Sequence, residues 1–238
     1  MKEEMTAIPV QETIIRKSNF INRSMIRFSV ARLRKRRFLF FKELLSAIPR
    51  PVTILDVGGS PWFWESMGFH KENDIRLTLV NLMRLETDQP NFNSIVQDAR
   101  DMRQFKDKEF DIVFCNSLFE HIVDADDRAL ISNEIRRVAK RYFIQTPNRY
   151  FPIEPHSFMP FFQFFPLRLK IWLLAHLDMG WYKKLKDKDK AREVADSVRL
   201  LDRKEIKGLF PEASVYEEKF LWLTKSFVMY YGWDTPVD

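Results

Sequence analysis

The sequence predicts an α/β fold built on a largely parallel sheet, and three observations carry that expectation. Short apolar runs alternate with helix-patterned stretches from residue 52 onward. The first run, Val52-Thr53-Ile54-Leu55-Asp56-Val57, ends on two glycines, Gly58 and Gly59. Four polar residues, Asp56, Asn81, Asp98 and Asn116, fall at the ends of successive runs. A βαβ rhythm places ligands at the carboxyl ends of parallel strands, where these residues would gather.

The chain opens on a basic arm. Residues 1–50 hold 12 Lys or Arg against 4 Asp or Glu, a surplus of +8, so the remainder must carry −2 of the total +6. Apolar residues from Ile14 to Ile48 recur at helical spacing and predict one or two helices, ended by Pro49 and Pro51. The cluster Arg32-Leu33-Arg34-Lys35-Arg36-Arg37 reads as the solvated face of such a helix or as a patch for phosphates of RNA or anionic lipid. No aromatic residue interleaves the cluster to stack a base, which favours the solvated face.

At the first strand, the glycines let backbone approach a ligand that a Cβ would exclude. Ser60 and Pro61 read as helix cap and first helical residue, with the helix running to Met67. A dinucleotide site wants a third glycine at the sixth position of this turn, where Phe63 stands between Trp62 and Trp64. That pattern argues against a pyrophosphate.

With 238 residues and 45% hydrophobic content, the chain suits one domain with extensions. Cys115 is the lone cysteine, which excludes an internal disulfide and makes zinc improbable; no metal is expected. No signal-like or membrane-spanning run is visible, so a cytoplasmic location is expected.

Asp56, Gly58 and Gly59 resemble the first motif of class I S-adenosylmethionine-dependent methyltransferases, with Ser60 in place of its second glycine. The resemblance continues through Arg76–Asn81, Ile95–Ala99, Phe110–His121 and Tyr142–Asn148, which look like that family's second to fifth strands. Ser214–Phe220 and Lys225–Tyr231 look like its closing antiparallel hairpin. The chain is most similar to small bacterial members of unassigned substrate that carry Gln-Thr-Pro-Asn and then Pro-Ile-Glu-Pro-His. The likeness implies a Rossmann-like, seven-stranded mixed sheet with helices on both faces. It also implies S-adenosylmethionine as cofactor. Asp56, Gly58, Gly59 and Ser60 would shape the donor pocket. Asn81, with Leu82, would meet the ribose, Asp98 and Ala99 the adenine, and Asn116 and Ser117 the methionine side. Asn81 stands where the family usually has an acid, and an amide forfeits charge-assisted strength.

The helix before the fifth strand, residues 128–139, should bury Ala129, Leu130, Ile131, Ile135, Val138 and Ala139. The stretch from Phe151 to Leu174 is dense in phenylalanine and proline and reads as a packed insertion or as a wall of the acceptor site. Alternating Lys and Asp over 183–192 read as a solvated linker. The expected organisation is thus a basic helical extension over 1–50 and a donor-binding domain over 51–238 with an insertion at 151–182.

Methyl transfer from a sulfonium is an in-line displacement needing position and a deprotonated nucleophile. His156, in Glu154-Pro155-His156, and His121, in a Glu-His pair after the fourth strand, are the candidate catalytic bases, with Glu154 beside His156. His121 also reads as a structural bond at a helix end, Asp56 as a turn-stabilising carboxylate and Asp98 as a cap. The expected function is methylation of a small-molecule, glycan or lipid-like acceptor, with peripheral membrane contact open. The alternatives are a non-catalytic donor-binding protein and an RNA methyltransferase using the basic arm.

Overall fold

A computed structural model describes residues 23–233, with side chains from Arg34 onward. The apolar and basic positions expected before Arg34 lie outside the described side chains. The elements are α1 (Arg23–Ser46), β1 (Val52–Val57), α2 (Pro61–Ser66), β2 (Ile75–Asn81), β3 (Phe92–Val96), β4 (Phe110–Asn116), α3 (Ala125–Val138), β5 (Ala139–Pro147), α4 (Leu167–His176), α5 (Lys188–Asp196), α6 (Arg203–Leu209), β6 (Ser214–Phe220) and β7 (Leu223–Tyr231).

The chain divides into two compact units. Among the described residues, the smaller comprises 152–196 with the start of α1, residues 23–27, and the larger comprises 28–151 and 197–233. In the larger unit one seven-stranded sheet has the order β3-β2-β1-β4-β5-β7-β6. The first five strands run parallel, while β7 pairs antiparallel with both β5 and β6. This is the mixed sheet with a closing hairpin that the sequence predicts.

Strand alternation gives the sheet two buried faces. On one, Ile54, Leu77, Phe114, Phe143 and Val228 pack with Phe38, Phe41, Leu44 and Leu45 of α1 and Trp64 of α2. On the other, Leu55, Val113, Cys115, Ile144 and Met229 pack with Ile131, Ile135 and Val138 of α3 and Ile206 of α6. The fully buried Phe41 touches the rings of Trp64, Phe114 and Phe143. Its truncation to alanine would cost about 3–5 kcal/mol, since packed neighbours cannot collapse into the space.

Local details depart from expectation for physical reasons. Asp124 caps α3 by accepting from the N–H groups of Asp126 and Asp127, so the helix starts at Ala125. Its inward positions include Arg128 and Ser132, while Leu130 is exposed: Arg128 is drawn in by the carbonyls of Ile122 and Val123, which accept from its Nη1. Strand β3 ends at Val96, so Asp98 and Ala99 lie in the following loop.

In the smaller unit, the expected 183–192 linker instead runs into a helix. Asp187 caps α5 at the N–H groups of Asp189 and Lys190, and Ala191 and Ala195 are buried with Phe162, Leu173, Leu174 and Met179. Small residues four apart supply the contact stripe that the charge alternation concealed. Among the described residues no helix is long and apolar enough to cross a membrane.

Candidate active site

The turn after β1 is built by three interlocking contacts. Gly58 adopts φ +78° and donates its N–H to Val80 O at 2.9 Å, tying the turn to β2. Asp56 is buried, and its Oδ2 accepts from Trp64 Nε1 at 2.7 Å. A Cβ on Gly59 would fall 1.5 Å from that same Oδ2. Gly59 is therefore required by the carboxylate beneath it, whatever a ligand asks of the backbone. Burial pushes the Asp56 carboxyl up to about 7 despite the Trp64 bond, and its Oδ1 has no hydrogen-bond partner. Ser60 occupies the cap position of α2 in extended conformation without a side-chain bond to the helix.

Asn81 ends β2 half-buried, and its Nδ2 donates to Gly59 O at 2.9 Å. The amide thus braces the glycine turn, leaving its Oδ1 the atom suited to a hydroxyl donor. Leu82, the next residue, is 54% exposed and offers an apolar surface of the kind a flat heterocycle covers. Asp98 lies past the end of β3 with its carboxylate gripped by the Arg100 guanidinium at 2.6–3.1 Å, and Arg100 also reaches Asp127 at 3.0 Å. The Arg100 bond holds Asp98 below the ordinary carboxylate range. Ala99, between these two charged residues, is half-buried.

At the end of β4, Ser117 takes φ +59°, a left-handed conformation that costs energy in a non-glycine residue. Two bonds hold it there: its N–H donates to Gln145 O at 3.0 Å and its Oγ to Gln145 Oε1 at 2.9 Å. Asn116 Oδ1 accepts from Arg37 Nη1 at 2.6 Å. Arg37 belongs to α1, is buried, and lies 3.3 Å from Glu218 on β6. Glu218 in turn accepts from Ser226 Oγ and has Lys225 Nζ 3.5 Å away. Burial pushes the Glu218 carboxyl up, and the charges of Arg37 and Lys225 more than reverse that. On the α1 face, then, the apolar core of Phe114, Phe143 and Val228 gives way at the carboxyl ends to Asn116, Gln145 and the Glu218–Ser226 pair.

The solvated-face reading of the basic cluster therefore fails at Arg37. The signal was present in the spacing, because Arg37 shares the helical stripe of Phe41, Leu44 and Ile48. Glu218 and Gln145 were also missed; Glu218 is the one buried position of β6, and Gln145 sits in the unbroken buried run that ends β5.

Glu120 is buried in a single 3-10 turn, Phe119–His121, and accepts from Thr146 Oγ1 at 3.3 Å. His121 closes that turn, donating its backbone N–H to Leu118 O. In the smaller unit, buried Glu154 accepts from the N–H groups of His156 and Ser157, at 3.1 and 2.6 Å, and lies 2.6 Å from His156 Nδ1. Burial pushes Glu154 up, but the His156 and Ser157 bonds outweigh it and keep the carboxyl ionised below its ordinary range. The anion fixes a proton on Nδ1, which makes Nε2 the basic atom of the ring.

Residues 62–142 match the family model described as a methyltransferase domain. Over those residues, about a third of its length, the chain carries a methyltransferase domain. Among solved structures, it resembles an S-adenosylmethionine-dependent methyltransferase from Methanosarcina mazei at 14% identity, over 79% of this chain and 94% of that one, with a TM-score of 0.49. A second such enzyme, from Aquifex aeolicus, matches at 12% identity over 82% and 87%, with a TM-score of 0.46. A possible exported protein from Bordetella parapertussis shares the fold at 9% identity, over 93% and 75%, with a TM-score of 0.52. No curated protein matches in sequence.

The polar groups at these strand ends are of a kind that would fit S-adenosylmethionine. A buried carboxylate oxygen without a donor at Asp56, an amide oxygen at Asn81 and the acidic Asp98 suit a cationic nucleoside. They would repel a diphosphate, and the guanidinium of Arg100 is held by Asp98 and Asp127.

Proposed function

We infer that this chain methylates a small-molecule, glycan or lipid-like acceptor. The methyl donor is S-adenosylmethionine, which supplies an electrophilic methyl group on a sulfonium. The reading rests on the gathering of Asp56, Asn81 and Asn116 at the carboxyl ends of three neighbouring parallel strands around the Gly58–Gly59 turn. Asp56, Gly58, Gly59 and Ser60 would cradle the donor, Asn81 and Leu82 its ribose, Asp98 and Ala99 its adenine, and Asn116 and Ser117 its methionine end. The bracing of Asn81, Asn116 and Ser117 by Gly59, Arg37 and Gln145 supports such roles, since each side chain is fixed before a ligand arrives.

For an oxygen or nitrogen acceptor, His156 is the proton acceptor, held in its tautomer by Glu154; His121 is the second candidate. The RNA reading loses support from Arg37, whose charge is spent inside the fold on Asn116 and Glu218. Calorimetry with S-adenosylhomocysteine, followed by assay of its release from the donor with candidate acceptors, tests the reading. No binding heat at millimolar ligand would sink it, and binding without turnover on any acceptor class would favour a non-catalytic protein.

A further inference from the structure

The turn joining β6 to β7 is not the turn that folding alone would select. Phe220 and Leu223 pair, so Leu221 and Trp222 form a two-residue hairpin loop. Such loops favour Asn-Gly or Asp-Gly, because their backbone twist requires positive φ. Here Leu221 takes φ +56°, and Leu221, Trp222 and Leu223 are 71%, 87% and 50% exposed. Local strain and apolar exposure are thus both tolerated at one point.

That point lies at the functional end of the sheet. Ser226 pairs with Pro147, the last residue of β5, so the tip projects beyond the strand ends that carry Asn116 and Ser117. Its surroundings are basic. The Arg37–Glu218 contact lays the Arg34–Arg37 stretch of α1 along β6, and Arg36 and Lys219 line one shallow groove with Tyr216 and Glu217. Of the nearby acids, Glu218 is buried beneath Arg37 and Lys225, and Glu217 is taken by Arg203 at 3.3 Å and by the Thr224 hydroxyl.

We propose that the Leu221–Trp222–Leu223 tip, with the basic rim of Arg36 and Lys219, docks the protein on an anionic lipid surface. A tryptophan between leucines suits the headgroup boundary, and flanking lysine and arginine are drawn to anionic lipid. A stable protein interface needs roughly 800 Å² on each side, far more than a two-residue loop presents. The docking surface rests on the methyl-transfer reading only for its consequence: it would set the donor-binding strand ends against a membrane and select an acceptor with a lipid tail.

The test uses the full chain and sedimentation with vesicles of phosphatidylcholine alone or doped with phosphatidylglycerol. Wild type is expected to sediment with the anionic vesicles and to be released by salt. Leu221→Ser/Trp222→Ser should weaken that association by about tenfold or more, and Arg36→Gln/Lys219→Gln should flatten its salt dependence. Calorimetry with S-adenosylhomocysteine should be the same for all three proteins. Wild type that ignores both vesicles, or a tip variant that sediments as wild type does, overturns the proposal. So does a tip variant whose only change is loss of self-association. Absent donor heat with intact vesicle binding would instead overturn the methyl-transfer reading.

Discussion

Arg37 reaches across 79 residues of chain to donate to Asn116 Oδ1, 2.6 Å away. A side chain from the first helix thereby fixes the amide that ends β4, and Arg37 is itself held by Glu218 on the far edge of the sheet. The N-terminal helix is part of the site's framework.

Replacing Arg37 should be costly where replacing its basic neighbours is not. Arg37→Met leaves Glu218 buried with one cation fewer and is expected to destabilise the fold by about 3 kcal/mol. Arg37→Met/Glu218→Gln should lose less than the sum of its two single variants. Lys35→Gln, on the exposed face, should change stability by less than about 0.5 kcal/mol. Urea titration of wild type and the four variants decides, and additivity would mean that the pair is not coupled.

The bond from Asn81 to Gly59 sets the sign of a second substitution. Asn81→Asp restores the acid that methyltransferases usually carry, yet it puts a carboxylate against a carbonyl oxygen that now receives an N–H. Losing that donor costs on the order of 1–3 kcal/mol, so affinity for S-adenosylhomocysteine should fall by about tenfold or more. Tighter binding in calorimetry would show that the turn rearranges to accept a carboxylate.

Asp56 predicts a pH dependence. Its folded pKa, about 7, lies above the unfolded value near 3.9, so the folded protein keeps a proton that the unfolded chain has released. Stability from this group is full below the unfolded value and falls as pH rises to about 7, by roughly 1.4 kcal/mol per unit at most. Asp98, Glu154 and Glu218, whose values are lowered, act in the opposite sense at acidic pH. The comparison must therefore be with Asp56→Asn, whose advantage over wild type should grow between about pH 4 and 7. A difference in melting temperature that stays constant with pH would refute the raised value.

For His156, replacement by alanine should slow turnover by about 10²–10⁴-fold with donor affinity unchanged. Glu154→Gln keeps an acceptor for Nδ1 but removes the charge that stabilises the protonated ring, so kcat should fall while KM changes little. Equal activity in both variants would remove the pair from the reaction.

The sheet was legible in the sequence because each strand is bounded by turn signals and its polar ends stand out against apolar runs, as at Asp56 and Asn116. Charged residues that face inward were not. Arg37 and Arg128 read as solvent-facing because the partners that satisfy them, Asn116 with Glu218 and the carbonyls of Ile122 and Val123, are set by tertiary contact. Helix α5 was hidden for a related reason: its alternating charges mask Ala191 and Ala195, whose burial depends on residues of α4. At the site, composition identified which residues gather, and only geometry revealed that Asn81 spends its N–H on Gly59 and Asp98 its carboxylate on Arg100.

Trp233, beyond the last strand, donates its indole N–H to the carbonyl of Leu44 across 189 residues of chain. Together with the Arg37–Glu218 contact, this clasp joins the earliest described helix to the final hairpin. On the ribosome, the apolar stripe of α1 emerges long before its cover exists, and Asn116 leaves the tunnel before Glu218 can anchor its arginine. Contacts of such sequence separation slow folding, because a long loop must close before it is rewarded. The site is consequently finished late, and the exposed phenylalanines of the waiting helix are the segment for which a chaperone would compete.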